Sequence, residues 1–233
     1  MNPAKTLPFL ALLSMSCGSC GTAGPEVDKN IVKKKLAEIE ASAQKETGEK
    51  RSPTNDPVEG LSLDFRREEG LNAVWVLQEH AIDLSKKLPQ KIRFQRESND
   101  LVLLAAKVIL KRPGAAITTK EIVIKKRLLR FQETRYVLLV KVKSYIPAQI
   151  LGSKVVPGRL NGNAVLYELD GTRYLGGFSF SVKVKRTGSI KGFDNKSKIR
   201  DILSYYFGEE LKSGISRTFP GAKLQKITGY ASY

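Results

Sequence analysis

Residues 136–143 alternate strictly. Tyr136, Leu138, Val140 and Val142 fall on one side, and Val137, Leu139, Lys141 and Lys143 on the other. A period of two belongs to a β-strand, because successive side chains leave a pleated strand on opposite faces. Residues 173–186 repeat the pattern, with Phe178, Phe180, Val182 and Val184 against Ser179, Ser181, Lys183 and Lys185. Two such strands, each apolar on one side, call for an antiparallel sheet with one covered face and one wet face. Residues 164–169 read as a third strand, joined to 173–186 by Asp170-Gly171, a two-residue turn whose positive φ angles suit a tight hairpin. Asn161-Gly162-Asn163 marks an earlier turn, linking back to a strand near 154–160 in which Pro157 implies an edge or a bulge. Gly176-Gly177, inside a strand, reads as a bulge or a close approach.

The other elements are placed around this sheet. Residues 70–77 form a strand, with Ala73, Trp75 and Leu77 on one face and Val74 and Val76 on the other; Trp75 reads as core. Val32, Leu36, Ile39 and Ala43 give residues 26–46 a narrow helical stripe, able to dock on the domain, pair with a partner helix or stay a solvated stalk. Ser98 caps a helix running to about 111, where Arg112-Pro113-Gly114 stops it. Thr118 to Glu121 fits a capping box for a helix to about 132, with Lys125, Lys126, Arg127 and Arg130 outward. Residues 81–92 fit either state. Asp194 or Asn195 caps a last helix with Ile199, Ile202, Leu203, Tyr206 and Phe207 on its apolar stripe, ending near Gly208 or continuing through Leu211 and Ile215 to Pro220; it covers the apolar sheet face. Tyr230 and Tyr233 suggest a short final strand. The expected class is α+β: an antiparallel β-meander of about four or five strands with helices packed on one face.

The front of the chain is of a different kind. Lys5 supplies a positive charge, residues 7–13 a short apolar run, and Cys17-Gly18-Ser19-Cys20 follows. The run is too short to span a bilayer, which takes about 20 apolar residues, and fits an export signal. With its terminal cysteines the segment resembles a bacterial lipoprotein precursor. The family pattern has a Leu-like residue three before the lipidated Cys. Here Ser14 holds that place before Cys17, with Leu13 one further back, and Cys17 holds it before Cys20. Cys17, nearer the apolar run, is the favoured site, with Cys20 the alternative. The resemblance implies a diacylglycerol on its thiol and a third acyl chain on the new amino terminus. Ser19, rather than Asp, two residues past Cys17 implies outer-membrane delivery in that family. The alternatives are an ordinary cleaved signal and a redox pair, although a redox Cys-x-x-Cys normally opens a helix in a βαβ unit.

The expected organisation is therefore a signal peptide over 1–16, a tether with a charged helix and polar linker over 17–57, and one domain over 58–233. No cysteine follows Cys20, so that domain has no disulfide and must be held by packing. Charge is uneven: residues 26–69 carry 9 Lys and Arg against 11 Asp and Glu, while 70–233 carry 30 against 12, a net +18. In a cytoplasmic protein such a field points to nucleic acid. Behind an export signal it points to anionic lipid, lipopolysaccharide or wall polymer.

Motifs for chemistry are scarce. His80 is the only histidine; with Glu79 and Asp83 it offers at most three metal ligands, and a surface polar cluster explains the three better. Glu168 and Asp170 bracket the hairpin, and Glu209 and Glu210 diverge on a helix, so neither pair forms a facing dyad. There is no nucleophile elbow, P-loop or dinucleotide fingerprint. No catalytic residue, metal site or cofactor is assigned. The remaining candidates are Lys141, Lys143, Lys183 and Lys185, a possible stripe on the wet sheet face facing an anionic polymer or headgroup; lysines there equally guard a sheet against edge pairing. The expected function is a non-catalytic envelope lipoprotein that binds or scaffolds an envelope protein, anchored at the outer membrane and facing the periplasm. The alternatives are a module for anionic surfaces and an exported hydrolase using carboxylates.

Overall fold

The alternating segment at 136–143 forms the spine of the molecule. In the computed structural model, residues 25–49, 52–66, 70–85, 99–111, 120–147, 149–151, 154–156, 158–183 and 196–224 are described. In chain order the elements are α1 (Lys29–Gly48), β1 (Ala73–Leu77), α2 (Gln78–Ala81), α3 (Asn99–Ile109), α4 (Glu121–Gln132), β2 (Tyr136–Ile146), β3 (Gln149–Leu151), β4 (Lys154–Val156), β5 (Arg159–Glu168), β6 (Arg173–Lys183) and α5 (Lys196–Thr218). The class is α+β. The main sheet has the order β1-β2-β5-β6, and β3 and β4 pair separately. β2, β5 and β6 are antiparallel neighbours. β1 departs from the expected meander: it lies parallel to β2, with Ala73 opposite Tyr136 and Leu77 opposite Val140. Parallel strands need a long return path, and the connection carrying α3 and α4 provides it.

The sheet has a core on each face. On one, α5 lays Leu203, Phe207, Leu211 and Ile215 across Leu138, Val140, Ala164, Leu166, Phe178 and Phe180. The i, i+4 spacing from Leu203 keeps this stripe on one side of the helix, so the longer of the two expected helices forms. On the other face, Val74, Val76, Val137, Leu139, Val165 and Tyr167 meet α1, α3 and α4. Helices therefore pack on both faces, not one. The second side of β2 explains the difference: it is apolar at Val137 and Leu139 and turns polar only at Lys141. The wet face is thus the far half of one side of the sheet.

α1 belongs to this second core. Asp28 caps it by accepting from the amides of Asn30 and Ile31, and Val32, Leu36, Ile39 and Ala43 are buried in the cluster. Polar contacts reinforce the docking. The Tyr167 hydroxyl donates to Glu46 Oε2 at 2.9 Å in a buried pair. The Lys35 ammonium donates to the Thr134 carbonyl, and its burial lowers its pKa. The helix expected to lie in a tether ahead of a domain starting at 58 therefore packs into the domain core, with Val27 the first of the described residues to do so. The polar linker is packed as well. Asn55 Oδ1 accepts from the Ser179 amide at 2.7 Å on the outer strand β6, and the Val58 amide donates to the Thr218 carbonyl at 2.7 Å.

Three local expectations change. Asn161-Gly162-Asn163 is not a turn but the continuous middle of β5, with Gly162 opposite both Val142 and Phe180. The hairpin loop is longer than two residues: Asp170-Gly171 is the centre of a turn closed by the Thr172 amide on the Leu169 carbonyl at 3.2 Å. α4 starts at Glu121 with Lys120 as a cap that makes no side-chain bond, so Glu121 is the first helical residue and not the fourth position of a capping box. The bulge expected at Gly176-Gly177 is present as a register shift between Leu166 and Tyr167, and Gly176 has φ +142°. Thr118, Asp194, Asn195, Tyr230 and Tyr233 lie outside the described residues.

One acid clasps the chain after the linker. The Asp64 carboxylate takes two contacts from Arg66 Nε, at 3.0 and 3.2 Å, and one from Nη2 at 2.7 Å. Its carbonyl accepts from the Asn72 and Ala73 amides at 3.1 Å each. On either side, Phe65 and Lys223 are joined by a 2.9 Å bond and Lys223 and Leu63 by a 2.8 Å bond. The bonds from Arg66, partly opposed by burial, hold the Asp64 carboxyl below the usual carboxylate range. A carboxyl with a depressed folded pKa stabilises fully above its unfolded pKa, about 3.9, and loses that contribution as pH falls through the folded value. Asp64→Asn is expected to lower the melting temperature at pH 7 and to match the parent more closely below about pH 3. Melting curves against pH check this; an equal deficit at both ends would remove Asp64 from the acid response.

Candidate functional site

The uncovered half of the sheet begins where the apolar side of β2 stops. Three ladder rows lie there. Lys141, Asn163 and Ser179 share the first; Ser144, Asn161 and Ser181 the second; Ile146, Arg159 and Lys183 the third. Asn163 is buried and accepts from the Ser179 hydroxyl at 3.2 Å, while Ser144, Asn161, Ser179, Ser181, Arg159 and Lys183 are exposed. The face is a neutral Ser/Asn surface with cations at its two ends.

Of the four candidate lysines, Lys141, Lys143 and Lys183 lie among the described residues. Lys141 and Lys183 share this face, but two strands and four residues of register separate them, roughly 16 Å by sheet dimensions. That is about two Debye lengths at physiological salt, too far to grip one phosphate together. Lys143 is exposed and sits at the register shift between Val142 and Ser144. Lys185 lies beyond the described end of β6. Arg159 on β5 stands directly opposite Lys183. Arg159 and Glu168 are the two ends of one continuous strand, and that continuity fixes the register that brings Arg159 opposite Lys183.

Beside Lys141 is a pocket of about 210 Å³ lined by Thr47, Leu77, Gln78, Glu79, Ile82, Val140, Lys141 and Val142. It forms where β1 ends at Leu77 while β2 runs on, so α2 and the end of α1 supply the remaining walls. Gln78 is buried and its amide nitrogen donates to the Ala43 carbonyl at 3.2 Å and the Thr47 hydroxyl at 3.1 Å. The amide nitrogen thereby joins α2 to α1, while its carbonyl oxygen is buried with no hydrogen-bond partner among the described residues.

The acidic and titratable groups also have structural partners. His80 is not on the surface; it is 3% exposed, within the single turn of α2. Among the described residues no three His, Cys, Asp or Glu side chains converge on a metal position. Glu168 accepts from Arg173 Nη2 at 2.8 Å and Nε at 3.1 Å across the hairpin. Glu40 accepts from the Leu84 amide at 2.6 Å. Among the described residues, no helix is long and apolar enough to cross a membrane. Cys17 and Cys20 lie outside the described residues. No protein-family model matches the chain, and no curated protein matches it significantly.

Proposed function

We propose that this chain is a membrane-anchored envelope lipoprotein whose domain acts by binding or scaffolding and not by catalysis. The observation that carries the reading is the leader: Lys5, the apolar run 7–13 and Cys17. The start of the fold fits it. Among the described residues packing begins at Val27, ten residues after Cys17, and ten residues of chain can span at most roughly 35 Å. Each buried methylene of an acyl chain contributes about 0.8 kcal/mol, and more than one chain makes anchoring stable without a spanning helix. The reading places the domain on the periplasmic side of the outer membrane. Its acids favour binding over chemistry, because Asp64, Glu40, Glu46 and Glu168 each hold the fold together.

Cells fed labelled palmitate are expected to incorporate it into the chain, and Cys17→Ala is expected to abolish the label, whereas Cys20→Ala retains it. An unlabelled, unprocessed product among soluble cytosolic proteins would overturn the reading. In that event the +18 over residues 70–233 favours nucleic acid as the partner.

A further inference from the structure

We propose that the outer face of α4, with the start of α1 beside it, is the surface that rests on an anionic phospholipid bilayer. The inference rests on the lipoprotein reading for its geometry, but its own observations are in the fold. Residues Glu121–Gln132 carry four cations against one acid. Ile122 is 62% exposed, the most open large apolar side chain among the described residues. Leu129 lies two turns further along the same helical face and is half-buried, while Lys125 and Lys126, one turn from Ile122, flank the pair and are exposed. Leu128 and Phe131 point the other way into the core. A helix docked by one side, with apolar residues between lysines on the other, has the composition of an interfacial helix.

The chain enters the fold beside this helix. The Asp28 amide donates to Gln132 Oε1 at 3.2 Å, so the segment arriving from Cys17 meets the last turn of α4. Just beside that bond α1 opens with the exposed Lys29 and the 41%-exposed Ile31, alongside the exposed acids Glu26 and Asp28. α4 is about 18 Å long, so all of it lies within the reach of a leash of roughly 35 Å. Lys183 belongs to the opposite end of the sheet. It pairs with Arg159, which pairs with Ile146 at the far end of β2. That position is about 30 Å along the strand from Tyr136, next to which α1 enters. Where the bilayer meets the α4 side, the lysines there lie within the negative surface potential, which decays within a Debye length, while Lys183, about 30 Å along the sheet, lies outside it.

The test is a lysine footprint. The purified full chain is added to vesicles of phosphatidylglycerol or of phosphatidylcholine, treated with a water-soluble amine reagent, and read by peptide mass spectrometry. The Cys17→Ala/Cys20→Ala chain is run in parallel, so the outcome does not depend on acylation, which the palmitate experiment reads separately. Lys125 and Lys126 are expected to be protected several-fold on phosphatidylglycerol, with Lys143 and Lys183 unchanged as internal references. Protection should vanish on phosphatidylcholine and, for the unacylated chain, at about 0.5 M salt. Ile122→Gln/Lys125→Gln/Lys126→Gln, changes confined to exposed side chains, should weaken phosphatidylglycerol binding of the unacylated chain about tenfold or more. Equal labelling of the α4 and sheet lysines in both chains would overturn the proposal, as would protection of Lys143 and Lys183 alone.

Discussion

Replacing Ile39 by aspartate is expected to unfold the domain, while Ala41→Asp two residues away leaves it intact. Ile39 is fully buried between α1 and the sheet, and Ala41 is on the exposed side of the same helix. A carboxylate at Ile39 loses the packing of a full aliphatic side chain, worth about 2–5 kcal/mol for truncation to alanine alone. It also carries a charge into a fully buried site, which brings the total above about 4 kcal/mol. Domains of ordinary stability hold only about 5–15 kcal/mol in reserve. Circular-dichroism melts of the two variants check this. A stalk helix would make the two indistinguishable, because both residues would then face water. Loss of the cooperative transition in Ile39→Asp alone places α1 inside the folding unit.

That result bears on what a single sequence can reveal. The stripe of Val32, Leu36, Ile39 and Ala43 was legible as a helix face, because the 3.6-residue period is local. Its target was not. An apolar stripe has no address, and the groove it fills is built by Val74, Val76, Val137 and Val165 from strands far along the chain. The strands at Tyr136 and Phe178 were legible for the same local reason, as was the α5 stripe. The parallel pairing of β1 was not, since strand direction depends on the path of the connection and not on the composition of the strand. The candidate site suffered twice. Lys141 and Lys183 share a polar face, yet register sets their separation and only the folded sheet shows it. The cations of α4 were legible as outward-facing. Their bearing on the anchor became visible only through the Asp28–Gln132 bond, which joins residues 104 apart.

Gly162→Ala is expected to cost about 2–3 kcal/mol, a fall in melting temperature of about 5–10 °C for a domain of this size. The Asn-Gly-Asn tripeptide has turn chemistry, and in a turn an added methyl would matter only through φ. In β5 the reason for glycine is space. A Cβ at Gly162 would stand 2.0 Å from the Lys141 carbonyl oxygen and 2.6 Å from Phe180 Cζ. Phe180 lies directly opposite, so its ring occupies the volume a side chain at 162 would take. The same ring packs edge-on against Phe207 of α5, centroids 5.3 Å apart, so it cannot move without disturbing the helix. Two obstacles of different stiffness give the prediction its structure. Phe180→Leu in the Gly162→Ala background should relieve the ring contact but not the contact with the Lys141 backbone. A double-mutant cycle is therefore expected to show favourable coupling that recovers about 1 kcal/mol and leaves a residual penalty. Full recovery would assign the glycine to the ring alone. A cost near zero in the single variant would return Gly162 to a turn, and with it would go the register that separates Lys141 from Lys183.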